Sequence, residues 1–320
     1  VAVALYFALI ILGFALLIKG ADFLVSGASS LAKRFNISEL AIGLTIVALG
    51  TSAPELVVNI ISGSQGYSEV VFGNIIGSNI FNLFLILGVA GTIYPLAVQK
   101  KTVLRELPFL LFVTLILFYL VNDSLFHNEP LNKSSSIDGF ILLGLFMVFL
   151  IYVFYNMKSG LAEENNIKIY TPLITGLRIV GGLIGLIVGG KLVVDNAVEV
   201  ANIYEVSEKL IGLTIIAAGT SLPELATSAV AAYKKQADIA IGNVVGSNIF
   251  NILLVLGVST MISPLQYNSE LNTDMYMLIA GTVMLLLFMF TVNKKKLDRR
   301  ESFLYLLSFI GYMIYLFIRK

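Results

Sequence analysis

The chain has 320 residues, 58% of them apolar and only 13% charged, about half the charge of an ordinary soluble domain. Too few charges remain to coat a soluble particle of this size, so the composition points to an integral membrane protein. A net charge of +1 speaks against a nucleic-acid partner, and zero cysteines with one histidine, His127, exclude thiolate or histidine-rich metal sites and a Ser-His-Asp enzyme.

Apolar windows of spanning length fall near 3–32, 38–63, 69–94, 103–122, 137–157, 172–203, 207–233, 238–263, 274–293 and 301–319. The expected fold class is therefore an all-α membrane protein with ten transmembrane helices. The first window has no basic leader and runs past Lys19 and Asp22 without a small-residue cleavage signature, so it reads as a span rather than a signal peptide. Lys19 with Asp22 (i, i+3), and Lys191 with Asp195 (i, i+4), are spaced for ion pairs within their own helices. Windows 3–32 and 172–203 exceed the bilayer thickness and are expected to tilt. The Asp123–Ser136 loop carries His127 in a solvated setting. The polar stretch from Met157 to Tyr170 joins two halves and is too short to hold a folded domain. The expected division is 1–157 and 172–320 around a linker at 158–171.

Orientation follows from loop lysines and arginines. With the N-terminus outside, fifteen basic residues fall in cytoplasmic loops, against Lys133, Lys209, Arg319 and Lys320 outside. Both termini are then extracytoplasmic.

An internal repeat dominates the sequence. Gly43–Glu55 (GLTIVALGTSAPE) matches Gly212–Glu224 (GLTIIAAGTSLPE), and Gly73–Asn82 (GNIIGSNIFN) matches Gly242–Asn251 (GNVVGSNIFN). Both blocks are offset by the same 169 residues. Five spans, an odd number, separate the copies, so the second enters the membrane from the opposite face. Such inverted five-helix repeats build many secondary transporters, with the substrate near the midplane.

The repeated blocks are polar where lipid contact would ask only for hydrophobicity. Pro54 lacks an N–H and should break its helix near Gly50 and Thr51, gathering freed carbonyls, the Thr51 and Ser52 hydroxyls and the Glu55 carboxylate. Pro223 should do the same for Gly219, Thr220, Ser221 and Glu224. Asn74, Ser78 and Asn82 share one helix face, as do Asn243, Ser247 and Asn251. Gly73 with Gly77, and Gly242 with Gly246, permit close helix contact, and Asn74 and Asn243 read as packing groups. Ser78, Asn82, Ser247 and Asn251 read as lining of a site. Glu55 and Glu224 have no cationic partner nearby in sequence, and a carboxylate at mid-membrane marks function by default. Two carboxylates among hydroxyls, amides and carbonyls form an all-oxygen donor set. That set suits hard cations, above all Ca²⁺, whose charge the two glutamates neutralise, with Na⁺ competing for the same oxygens.

These paired GTSxPE and GSNxxN blocks resemble the α-repeats of the sodium/calcium exchanger family, within the cation/calcium antiporter superfamily, in its prokaryotic type without a regulatory domain. The resemblance implies a plasma-membrane antiporter whose ion sites form from the second, third, seventh and eighth spans, while the first and sixth slide across them. By position, it makes Glu55 and Glu224 the main Ca²⁺ ligands, assisted by the carbonyls of Thr51 and Thr220. Na⁺ would use Ser52, Ser78 and the Ala48 carbonyl on one side, and Ser221, Ser247 and the Ala217 carbonyl on the other. Asn82 and Asn251 would line the centre. It further implies three Na⁺ against one Ca²⁺, hence electrogenic exchange, with no cofactor and no obligate protein partner beyond the bilayer. Potassium-dependent relatives carry Asp where this chain has Asn251, so K⁺ is not expected to be required. A Ca²⁺/H⁺ antiporter is the nearest alternative, and a passive cation channel a more distant one.

Overall fold

The computed structural model describes residues 2–126, 131–157, 168–204, 217–290 and 295–319. Among these residues eight helices are long and apolar enough to cross a membrane, or nine when one bent pair counts as a span. In chain order they are α1 (Ala2–Phe35), the bent pair α2 (Glu39–Thr51) and α3 (Ala53–Ser64), α4 (Ser68–Ile93), α5 (Thr102–Val121), α6 (Ser136–Asn156) and α7 (Pro172–Ile203). After the short α8 (Ala217–Gly219) come α9 (Leu222–Tyr233), α10 (Ala237–Ile262), α11 (Ser269–Phe288) and α12 (Arg299–Ile318). The windows read from hydropathy coincide with these helices within a few residues, the largest shift being the start of α11 at Ser269 rather than 274. The first part of the window at 207–233, most of the 158–171 linker and His127 lie outside the described residues.

Helix starts follow local chemistry. α6 and α12 open on capping boxes, Ser135 with Asp138 and Asp298 with Glu301, each satisfying otherwise unpaired N–H groups. α7 starts at Pro172 behind Thr171, whose side chain accepts from Ile174 N. The bend of 47° between α2 and α3 falls at Ser52, next to Pro54 in the first turn of α3, as the missing N–H demands.

The helices form two layers of different burial. In α10, 94% of the apolar window is buried, and in α4, 72%; for α1 and α12 the figure is 17%. α4 and α10 therefore make the centre. The outer helices turn Leu5, Ile11, Phe140, Phe154, Leu173 and Ile318 outward, as a lipid-facing surface requires. α1 and α7, of 34 and 32 residues, are each roughly 50 Å long, well beyond a bilayer core of about 30 Å. They run antiparallel in close contact. A Cβ on Gly20 would lie 2.8 Å from the Gly182 carbonyl, and one on Gly189 2.8 Å from the Gly13 carbonyl, so only glycine lets these backbones meet. α2 crosses α10 in the same way at Gly43 and Gly242. Gly246 also presses on α2, whereas nothing among the described residues comes within 4 Å of a Cβ on Gly73 or Gly77.

Two short strand pairs cross between the halves. β1 (Leu96–Ala97) pairs with β4 (Lys296–Leu297), and β2 (Lys133–Ser134) with β3 (Leu265–Gln266), both antiparallel. Each ties the last helix of one half to the other half. Accordingly Gly88 of α4 faces Leu306 of α12, and Gly257 of α10 faces Leu143 of α6.

The intrahelical ion pairs expected in α1 and α7 are not formed. Asp22 bonds instead to Lys234 at the end of α9, Nζ to Oδ1 2.6 Å, while Lys19 faces outward. Tertiary packing brings a cation 212 positions away into better reach than one on the same helix. Lys191 and Asp195 are both exposed on α7 and make no ion pair with each other.

Candidate ion site

The two breaks, at Ser52 and at Ser221, meet α4 and α10 in the middle of the molecule. At each break the hydroxyl of the serine bonds across the repeat. Ser52 Oγ donates to Glu224 Oε1 at 2.9 Å, and Ser221 Oγ donates to Glu55 Oε1 at 3.0 Å. These contacts exchange under the 169-residue offset. So do two further sets. Thr51 Oγ1 donates to Asn243 Oδ1 at 3.1 Å and Thr220 Oγ1 to Asn74 Oδ1 at 3.4 Å. Asn82 Nδ2 donates to Asn248 Oδ1 at 2.9 Å and Asn251 Nδ2 to Asn79 Oδ1 at 3.1 Å. Three reciprocal sets place the residues about a local two-fold relation through the centre of the molecule.

Local backbone positions these groups. Ser52 and Ser221 share nearly the same conformation, φ −82° and −91° with ψ 6°, and each is followed by a proline in the first turn of the next helix. Glu55 and Glu224 thereby stand in the first turns of α3 and α9, where a helix N-terminus favours negative charge. Asn82 and Asn251 lie in wide π-type turns, Phe81–Ile86 and Asn251–Leu256. Such turns insert a residue into the ladder and re-aim side chains, often at functional sites.

The sequence-derived residues converge. Thr51, Ser52, Glu55, Ser78, Asn82, Ser221, Glu224, Ser247 and Asn251 are all buried at the centre, and Ala48 is fully buried beside them. Thr220 is half-buried. Ala217 heads α8, and nothing of its side chain is described. The Ala48 carbonyl already accepts from Ser52 N at 2.9 Å and from Thr51 Oγ1 at 3.3 Å. Ser247 Oγ reaches Glu224 Oε1 at 3.4 Å, while Ser78 Oγ reaches Asn74 Oδ1 at 3.4 Å.

Two pairs of asparagines matter more than the sequence indicates. Asn74 and Asn243, which read as packing groups, receive the threonine hydroxyls, and Asn243 Nδ2 also donates to the Glu224 carbonyl at 3.3 Å and to Ser228 Oγ at 2.9 Å. Asn79 and Asn248, fully buried, hold the amides of Asn251 and Asn82. They sit inside the GSNxxN blocks, and their identity in both copies was the available signal. They lie off the Asn74–Ser78–Asn82 face, so a reading along that face passes over them.

Among the described residues, unpaired acceptors outnumber unpaired donors at the centre, where the Asn74 and Asn79 amide nitrogens also lack a partner. Glu55 Oε2, Glu224 Oε2, Asn82 Oδ1 and Asn251 Oδ1 are buried acceptors with no donor. Buried polar atoms are nearly always paired, and an unpaired one calls for an explanation such as an ion. Here the unpaired atoms include oxygens of two carboxylates that belong to different halves. No group of three His, Cys, Asp or Glu residues gathers among the described residues, so any cation held here relies on neutral oxygens beside two charges. The set is hard, flexible and anionic, which is what Ca²⁺ or Na⁺ takes as ligands.

Residues 5–155 and 175–318 match the protein family described as sodium/calcium exchanger protein. The chain is 41% identical to CaxA of Alkalimonas amylolytica over 90% of its own length and 91% of the relative's. It is 28% identical to the sodium/calcium exchanger MaX1 of Methanosarcina acetivorans, over 90% of this chain and 91% of that one. A solved structure of the sodium-calcium exchanger NCX_Mj superposes with a TM-score of 0.84 at 33% identity, covering 98% of this chain and 99% of the other.

Proposed function

Given that the chain belongs to the sodium/calcium exchanger protein family, and so is a membrane antiporter rather than an enzyme, we propose that it exchanges Na⁺ for Ca²⁺ by alternating access. The observation that carries this reading is the set of four unpaired buried oxygens, on Glu55, Glu224, Asn82 and Asn251. Ca²⁺ is the substrate that the two carboxylates neutralise, with Glu55 and Glu224 as its main ligands and the carbonyls of Thr51 and Thr220 assisting. Na⁺ is held by Ser52, Ser78 and the Ala48 carbonyl on one side and by Ser221, Ser247 and the Ala217 carbonyl on the other. Ser52 and Ser221 each touch the carboxylate of the opposite half, so a cation drawing on a serine also disturbs the Ca²⁺ ligand. Shared oxygens make the two occupancies mutually exclusive, and exclusive occupancy is exchange. A ratio of three Na⁺ to one Ca²⁺ moves net charge, so flux should respond to membrane potential.

The architecture that goes with this mechanism is ten spans in two inverted five-helix halves, 1–157 and 172–320, joined by the linker at 158–171. The reciprocal hydrogen bonds and the paired strand ties support it. The basic-residue bias puts both termini outside a prokaryotic plasma membrane. With Asn251 in place of a third carboxylate, transport does not need K⁺.

The test is ⁴⁵Ca²⁺ uptake into proteoliposomes loaded with Na⁺, repeated with K⁺ omitted and with a pH gradient alone. Uptake should follow the Na⁺ gradient and ignore K⁺. Uptake driven by the pH gradient and indifferent to Na⁺ would instead mark a Ca²⁺/H⁺ antiporter.

A further inference from the structure

The α1–α7 pair does not sit evenly over the two breaks. Its own glycine contacts obey the 169-residue offset, Gly13 on Gly189 and Gly20 on Gly182. Its contacts with the core do not. The atoms nearest a Cβ on Gly50 belong to Leu183, and those nearest one on the equivalent Gly219 belong to Val194, both on α7. Two-fold symmetry would set Phe14 of α1 against Gly219.

The asymmetry is fixed by polar contacts at the Phe35 end of α1. Lys234, just beyond α9, pairs with Asp22 at 2.6 Å and donates to the Asp22 carbonyl at 3.1 Å. Next to it Gln236 Nε2 donates to Ser29 Oγ at 2.7 Å. The same end of α1 is fastened to α7: Arg178 Nη1 donates to Ser26 Oγ at 2.8 Å, and Ser30 Oγ lies 3.1 Å from Thr175 Oγ1. What holds α1 therefore holds α7 as well. The offset maps Asp22 to Lys191 and Lys234 to Gln65, which carry no opposite charges. An equivalent ion pair cannot form at the other end.

We propose that Asp22–Lys234 is a latch that holds the α1–α7 pair against the α9–α10 turn, biases the protein toward the state sealed at that end, and opens when the pair moves. The inference rests on the alternating-access reading. Its chemistry suits a reversible device. The two side chains are 40% and 27% exposed, so the pair is not sealed within the protein and can part without leaving a fully buried charge. A fully buried pair would be too costly to open in every cycle, whereas a screened one gives a modest bias.

The chain has no cysteine, so Ser29→Cys introduces one thiol at the latched interface, where Ser29 is 1% exposed. Its labelling rate by a soluble maleimide, with the full chain in proteoliposomes, reads how often this end opens. Asp22→Asn and Lys234→Gln should each raise the rate about two- to fivefold, the range of a screened ion pair. The swapped pair Asp22→Lys with Lys234→Asp should bring it back. Rates unchanged in both single variants, or a swapped pair that labels as fast as they do, would overturn the latch. Na⁺-driven Ca²⁺ flux measured in the same vesicles before labelling separates the two readings. Latch-dependent labelling without such flux would overturn the exchange reading alone.

Discussion

At the scale of single residues, the centre of the molecule is organised by serines that serve the opposite half. Ser52 satisfies one oxygen of Glu224, and Ser221 one oxygen of Glu55, leaving each carboxylate one bare oxygen. On the proposed reading, Glu55→Gln or Glu224→Gln removes one of the two charges that neutralise Ca²⁺ and should abolish Na⁺-driven ⁴⁵Ca²⁺ flux. The folded protein should still purify as a single species, because the amide keeps the serine bond. Ser52→Ala and Ser221→Ala should be milder. A hydrogen bond to a charged group is worth about 1.5–3 kcal/mol, so each should weaken Ca²⁺ affinity roughly 10- to 100-fold, read from the Ca²⁺ dependence of flux. The two should match in size if the halves contribute equally. Asn79 and Asn248 act one step back, as positioning residues for Asn251 and Asn82. Replacing either with leucine should lower flux less than the glutamate variants do.

At the scale of elements, glycine decides where helices touch. On Gly182 a Cβ would lie 2.6 Å from Leu24 N and 2.8 Å from the Gly20 carbonyl, both backbone atoms that cannot turn aside. Gly182→Val should therefore pry α1 from α7 and lower stability by about 1–3 kcal/mol, seen as a lower midpoint of thermal unfolding in detergent. Gly144 of α6 gives the contrast, since nothing among the described residues lies within 4 Å of its Cβ position. Gly144→Ala should raise the same midpoint slightly, by the roughly 0.5–1 kcal/mol that alanine gains over glycine in a helix interior. Much of this scale is legible in sequence: the spans, the proline breaks and the caps are local chemistry. The glycine contacts are less so. Gly13, Gly20, Gly182 and Gly189 meet backbone to backbone across two helices, a pairing that spacing along either helix alone does not give.

For the whole molecule, the halves are interlocked rather than side by side. α6 packs on α10 and α12 on α4, and the strand pairs β2–β3 and β1–β4 tie those crossings down. Fragments 1–157 and 172–320 should consequently restore Na⁺-driven Ca²⁺ flux when produced together, and neither should do so alone, because each leaves a central helix without its cover. Sequence by itself determined the membrane class, the places of most of the helices, the 169-residue repeat and the two matched glutamates without a cationic neighbour in sequence. These depend on hydropathy, on proline and on spacing along one chain. Only the tertiary structure decided which half serves which carboxylate, that Asn79 and Asn248 hold the central amides, and that Asp22 pairs with Lys234 rather than Lys19. Those choices join groups up to 212 positions apart, and no local pattern encodes which of several suitable partners packing will bring within reach.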